Sequence, residues 1–68
     1  MELTINHQKK FFDQAPASLA ELIESEAPGK LRGIAVAINN RVVPQSQWAN
    51  TALQHQDSIL IITATQGG

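Results

Sequence analysis

A chain of 68 residues with a net charge of −1 and no cysteine holds one small domain with a limited core, and it excludes disulfides, thiolate metal sites, iron–sulfur clusters and a thiol nucleophile. Five scattered basic residues, one Trp, two Phe and no Tyr provide neither a basic face for phosphates nor a base-stacking platform, so nucleic acid is not an expected partner. No apolar run approaches the ~20 residues of a membrane span, and no basic stretch precedes an apolar one at the N-terminus, so a soluble cytoplasmic protein with no membrane partner is expected.

Met1, Leu3 and Ile5 alternate with Glu2, Thr4 and Asn6, the period of a half-buried strand. Asn6-His7-Gln8 supplies turn chemistry, and Lys10-Phe11-Phe12 returns as a short second strand of a hairpin. Asp13 to Ala17 is a loop. Ser18-Leu19-Ala20-Glu21 matches a capping box, in which the Ser18 hydroxyl accepts from the Glu21 amide and the Glu21 carboxylate reaches back to the Ser18 amide. Leu19, Leu22, Ile23 and Ala27 then share a face of a helix of roughly three turns, which Pro28-Gly29 stops. Ile34 to Ile38 alternates branched and small residues as a strand. Asn39-Asn40 makes a turn, and Arg41-Val42-Val43 is a short strand ended by Pro44. One loose helical turn lies around Trp48, Gln54 to Asp57 is a polar turn, and Ser58 to Ala64 is the last strand. One helix between two groups of strands reads as an α+β fold with a sheet wrapped on that helix. Residues 1–64 form the domain and 65–68 a flexible tail.

The last strand is apolar on both faces. Ile59 and Ile61 alternate as a core-facing row, yet Leu60 and Ile62 on the opposite face are apolar too. Ile34, Val36 and Ile38 face the helix, which turns Ala35 and Ala37 outward. If the last strand is central, nothing in this chain is left to cover its second face. Leu60, Ile62, Ala35 and Ala37 then form a flat apolar patch suited to docking a partner. A covering loop or a different strand pairing is the alternative. From Val42 onward the only charged side chain is Asp57, and interface cores are depleted in charge in the same way.

The sequence closes on Gln66-Gly67-Gly68. Glycine passes through channels too narrow for a side chain, and a terminal carboxylate is ionised and inert at neutral pH until activated. Such an end suits a substrate: a partner enzyme threads Gln66 and Gly67 into its site, converts the Gly68 carboxylate to an acyl-adenylate, and a nucleophile displaces AMP. A frayed terminus of small residues is the plainer alternative. Other chemistry finds little support. His7 and His55 sit in turns without metal-ligand spacing, no serine has a recognisable base beside it, Glu21, Glu24 and Glu26 are a helix face, and no glycine-rich loop follows a strand. Trp48 reads as a packing residue rather than a partner anchor. No enzyme active site is evident, and no bound cofactor is expected.

The strand order and the terminal Gly67-Gly68 resemble the ubiquitin-like β-grasp proteins. Within these, the chain is similar to the sulfur-carrier family of thiamin biosynthesis (ThiS). Asn39, Val43, Pro44, Trp48, Leu53, Asp57, Gly67 and Gly68 occupy that family's pattern. The pattern is an apolar strand ending in Asn, then Val-Pro, a Trp, a Leu, a Gly-Asp-type turn, an apolar strand and Gly-Gly. Two positions depart from it: Gln45 stands where a basic residue is common, and Gln56 where glycine is usual. The resemblance implies a mixed sheet of four to five strands on one helix. It implies a protein cosubstrate that a ubiquitin-activating-type adenylyltransferase adenylates at Gly68 with ATP and magnesium. Persulfide sulfur, from a sulfurtransferase or cysteine desulfurase, then leaves a thiocarboxylate for thiazole synthase to consume. The small subunit of molybdopterin synthase shares this fold and tail logic. A ubiquitin-like modifier or binding module is a further alternative, in which Gly68 joins a lysine or does nothing.

Overall fold

A computed structural model describes residues 1–28 and 33–63. Five strands and one α-helix form a mixed sheet in the order β2-β1-β5-β3-β4: β1 Glu2–Ile5, β2 Gln8–Phe11, α1 Leu19–Glu26, β3 Ile34–Ile38, β4 Arg41–Val43 and β5 Ser58–Thr63. β5 runs parallel to β1 and antiparallel to β3, while the hairpin pairs β1·β2 and β3·β4 are antiparallel. This is the ubiquitin-like β-grasp arrangement expected from the sequence, with the last strand at the centre.

The first hairpin closes on two residues in left-handed conformation, Asn6 (φ 51°) and His7 (φ 69°), and the second on Asn39 (φ 50°) and Asn40 (φ 71°). Positive φ at both central residues gives a turn whose twist matches that of the strands, and Asn tolerates it best after glycine. The second strand begins at Gln8, earlier than the Lys10-Phe11-Phe12 stretch, and Phe12 follows it while still donating its amide to the Met1 carbonyl at 2.7 Å.

Ser18 caps α1 as expected, its Oγ accepting from the Glu21 amide at 3.3 Å. The reciprocal half differs: Glu21 Oε1 accepts from the Ala17 amide at 2.8 Å instead of the Ser18 amide. The helix has eight residues, about two turns rather than three. Pro28 explains the difference, because a proline disfavours helical backbone in the residue before it; Ala27 leaves the helix at φ −137°, ψ 64°. Gly29, paired with Pro28 as the stop, and Ala64, the expected last residue of β5, lie outside the described residues.

The core lies between α1 and one face of the sheet. Leu19, Leu22 and Ile23 of the helix meet Leu3, Ile5, Val36 and Ile59, joined by Trp48 and Leu53. Each such buried side chain contributes about 1.5–3 kcal/mol of transfer free energy. The segment around Trp48 is a 3-10 helix, Gln45–Asn50, begun after Pro44 at φ −62°. Trp48 is buried, and its indole N–H donates to the Val43 carbonyl at 2.8 Å. The Val43-Pro44…Trp48 spacing therefore folds a strand end back under its own tryptophan. The Leu19 amide donates to the Thr51 carbonyl at 2.9 Å and ties the segment to the start of α1.

The turn before β5 runs Gln54–Asp57, with the Asp57 amide donating to the Gln54 carbonyl at 3.0 Å and Gln56 at φ 73°. Gln56 thus takes the backbone that glycine would take, and the turn survives the departure with local strain. Replacing Gln56 with Gly is expected to raise stability by about 0.5–1 kcal/mol and Tm by about 2–8 °C, read by thermal unfolding. A lower Tm would show that Gln56 contributes more through its side chain than it loses in its backbone.

Candidate functional site

The sheet face opposite α1 is made by the residues that alternate with the core row. The register sets Ala35 beside Ile62, and Ala37 beside both Leu60 and Val42. Partners directly opposite in a sheet point to one face, so these five side chains form one surface across β5, β3 and β4. Ile62 is 51% exposed, Leu60 37% and Val42 71%, whereas Ile59 in the same strand is 1% exposed. β5 therefore carries one apolar row into the core and a second into solvent. All four expected docking residues, Leu60, Ile62, Ala35 and Ala37, come together. Val42 extends the patch; β4 has three residues, too few to show a period in the sequence, and its neighbour Val43, which packs on the core, places it outside.

The patch is not flat throughout. His7, Asn40, Val42, Leu60 and Ile62 surround a shallow concavity of about 290 Å³ shared with Ala37. Ala37, Val42, Leu60 and Ile62 give it an aliphatic lining, and His7 and Asn40 add polar groups. On the β1–β2 side the same face passes to Thr4, Lys9, Glu2 and the 73% exposed Phe11. Among the described residues, charge on this face is thus confined to one flank, and the β5–β3–β4 part carries none.

Side-chain hydrogen bonds hold this platform at one end. Asn39 Nδ2 donates to Asp57 Oδ1 at 3.0 Å, and the Ser58 amide donates to Asn39 Oδ1 at 3.0 Å. Asp57 Oδ2 accepts from the Gln54 amide at 2.8 Å. The pattern residues Asn39 and Asp57, eighteen positions apart in sequence, are thus direct partners that lock the β3–β4 turn to the start of β5. His55, in the turn where the sequence places it, has a definite partner: its Nδ1 accepts from the Glu2 amide at 3.0 Å.

No grouping of three or more His, Cys, Asp or Glu side chains able to hold a metal occurs among the described residues. No helix there is long and apolar enough to cross a membrane. Gln66, Gly67 and Gly68, the expected tail and modified terminus, lie outside the described residues. β5 is described to Thr63, so the strand bearing the exposed row leads into that segment.

Comparison with known proteins yields concordant matches. The profile of the ThiS family matches residues 1–68. The sulfur carrier protein ThiS of Escherichia coli K12 is 38% identical over 63 residues, covering 85% of this chain and 94% of the relative. A crystal structure of a thiamine biosynthesis protein (ThiS) from Geobacter metallireducens superposes with a TM-score of 0.85 at 22% identity over all of both chains. An NMR structure of a thiamine biosynthesis protein from the same organism gives 0.81 at 22% identity, over all of this chain and 88% of the other. At that identity the two structures establish the fold.

The two rows of β5 are expected to respond differently to truncation. Ile59→Ala should cost about 2–5 kcal/mol, and Ile62→Ala at most about 1 kcal/mol, measured by urea unfolding. Equal losses would mean that both faces are core.

Proposed function

The chain belongs to the ThiS family, and from that premise we propose that it is a sulfur carrier of thiamin biosynthesis, acting as a protein cosubstrate rather than an enzyme. The observation that carries the reading is the family match that runs through Gln66-Gly67-Gly68. The name of the Escherichia coli relative, a sulfur carrier protein, supports it.

The chemistry proposed at Gly68 follows from what a carboxylate lacks, which is a leaving group. A carboxylate oxygen attacks the α-phosphorus of ATP, pyrophosphate departs, and the carbonyl now bears AMP. Magnesium, held with the ATP by the activating enzyme, offsets phosphate charge in that step. The terminal sulfur of a persulfide attacks the carbonyl carbon and AMP leaves, giving an acyl persulfide. A thiol then attacks the donor's sulfur, which releases the Gly68 thiocarboxylate and forms a disulfide on the donor side. The partners are a ubiquitin-activating-type adenylyltransferase, a sulfurtransferase or cysteine desulfurase as persulfide source, and thiazole synthase as the consumer of sulfur. ATP and magnesium belong to the activating partner, and no cofactor is assigned to the carrier. A chain without cysteine has no thiol of its own to divert the adenylate.

The carrier's contribution is delivery. Its carboxylate is a poor electrophile wherever it sits, so the shielded and polarised site must come from the partner. The apolar face of Leu60, Ile62, Ala35 and Ala37 is proposed as the surface on which the adenylyltransferase docks. Support comes from its exposure, its lack of charge and its position on the strand that precedes Gly67-Gly68. Side chains released from water here add affinity without touching the reacting atoms.

The test is the intact mass of the protein after incubation with a cognate adenylyltransferase, a sulfurtransferase, ATP, magnesium and a sulfur donor. The expected product has one oxygen replaced by one sulfur, localised to Gly68. A chain lacking Gly68 is expected to keep its unfolding midpoint and to gain no sulfur. An unchanged mass for the full chain, with enzymes active on another carrier, would overturn the proposal.

A further inference from the structure

β5 is held unequally on its two edges. Toward β3 the register runs without a break from Ile38↔Ile59 to Ile34↔Thr63. Toward β1 it has only two pairs, Thr4↔Ser58 and Ile5↔Ile59, because the chain turns away at Asn6 and His7, both with positive φ. The hydrogen bonds along that edge nevertheless continue past the turn. The Thr4 amide donates to the Asp57 carbonyl at 3.0 Å and the Asn6 amide to the Ile59 carbonyl at 2.9 Å. Two residues further along β5, the Ile61 amide donates to the Asn6 side-chain Oδ1 at 2.8 Å. In a continuing parallel strand a main-chain carbonyl would meet that amide. Here the carboxamide of the turn residue takes the place of the missing strand.

We infer that Asn6 is a positioning residue for the carrier reaction: it extends the β1 edge of β5 to Ile61, so that the strand leading toward the reacting carboxylate is held on both edges there rather than by β3 alone. The inference rests on the proposed carrier role. On that reading the outer face docks first, and the residues beyond the anchored part of β5 are then threaded into the partner's site. Without the Asn6 bond, β5 beyond Ile59 keeps its ladder to β3 through Thr63 but loses its hold on the β1 side; the freedom this adds to the strand must be removed again on threading, and it dilutes the carboxylate around the docked site. Asn suits both duties, since it tolerates a positive φ and its short side chain presents a carbonyl.

Two substitutions separate these duties. Asn6→Gly keeps a residue at ease with positive φ and removes the acceptor. Asn6→Asp keeps the turn and an acceptor of the same shape. For Asn6→Gly, amide hydrogen exchange at Ile61 is expected to speed up at least about tenfold, while the Thr4 amide stays protected. ATP–pyrophosphate exchange catalysed by the cognate adenylyltransferase is expected to fall about fivefold or more in kcat with little change in KM, because docking is untouched and threading is impaired. Asn6→Asp should restore both readouts. If Asn6→Gly loosens Ile61 yet exchanges pyrophosphate like the parent chain, Asn6 is structural only and the inference fails while the carrier role stands. An Ile61 amide equally protected in Asn6→Gly would also overturn the inference. A parent chain that supports no exchange would instead overturn the carrier reading and this inference with it.

Discussion

β5 is gripped on both edges, by a parallel ladder to β1 and an antiparallel ladder to β3, while the only α-helix among the described residues covers one of its two faces. The rest of the structure follows from that constraint. A central strand cannot shed its apolar residues to an edge, and an eight-residue helix has one apolar stripe to offer. Ile59 and Val36 therefore go into the core with Leu19, Leu22 and Ile23, and Leu60 and Ile62 are left facing outward. A half-exposed apolar row on a central strand costs solubility and adds little stability to the free protein. Its retention makes physical sense if a partner covers it.

The residues that form the recognisable pattern hold the body together more than they react. Trp48 closes on the Val43 carbonyl behind Pro44, and Asn39 and Asp57 bind each other and the amides of Ser58 and Gln54. These bonds fix where β5 begins and how the β3–β4 hairpin sits beside it. A body so defined can present the same face each time it docks. In the proposed reaction the electrophile is made and shielded by the partner, so the carrier needs rigidity up to the end of β5 and slimness beyond it.

Much of this was legible because the relevant signals are local. Ile34 to Ile38 alternates cleanly, Ser18 and Glu21 mark a helix start, and Leu60 and Ile62 betray a strand apolar on both sides. The errors arose where a local signal was weak or misleading. β2, reading Gln-Lys-Lys-Phe, is exposed along its length and has no alternation to find, so the two phenylalanines drew the strand toward themselves. The helix is shorter than its apolar spacing, which carries on to Ala27, because the backbone of Ala27 answers to Pro28. The bonds Asn39–Asp57 and Asn6–Ile61 depend on which strands become neighbours, and no spacing rule within one segment reveals them.

The most direct test of the central claim, that the outer face of β5 and β3 is where the activating enzyme docks, is amide chemical-shift mapping of the isotope-labelled protein titrated with a cognate adenylyltransferase and ATP. The account requires the largest changes at Ala35, Ala37, Leu60 and Ile62, with Val42 affected and the exposed side of α1 at Glu21 and Glu24 unmoved. Changes centred on α1, with Leu60 and Ile62 unaffected by a bound enzyme, would contradict it.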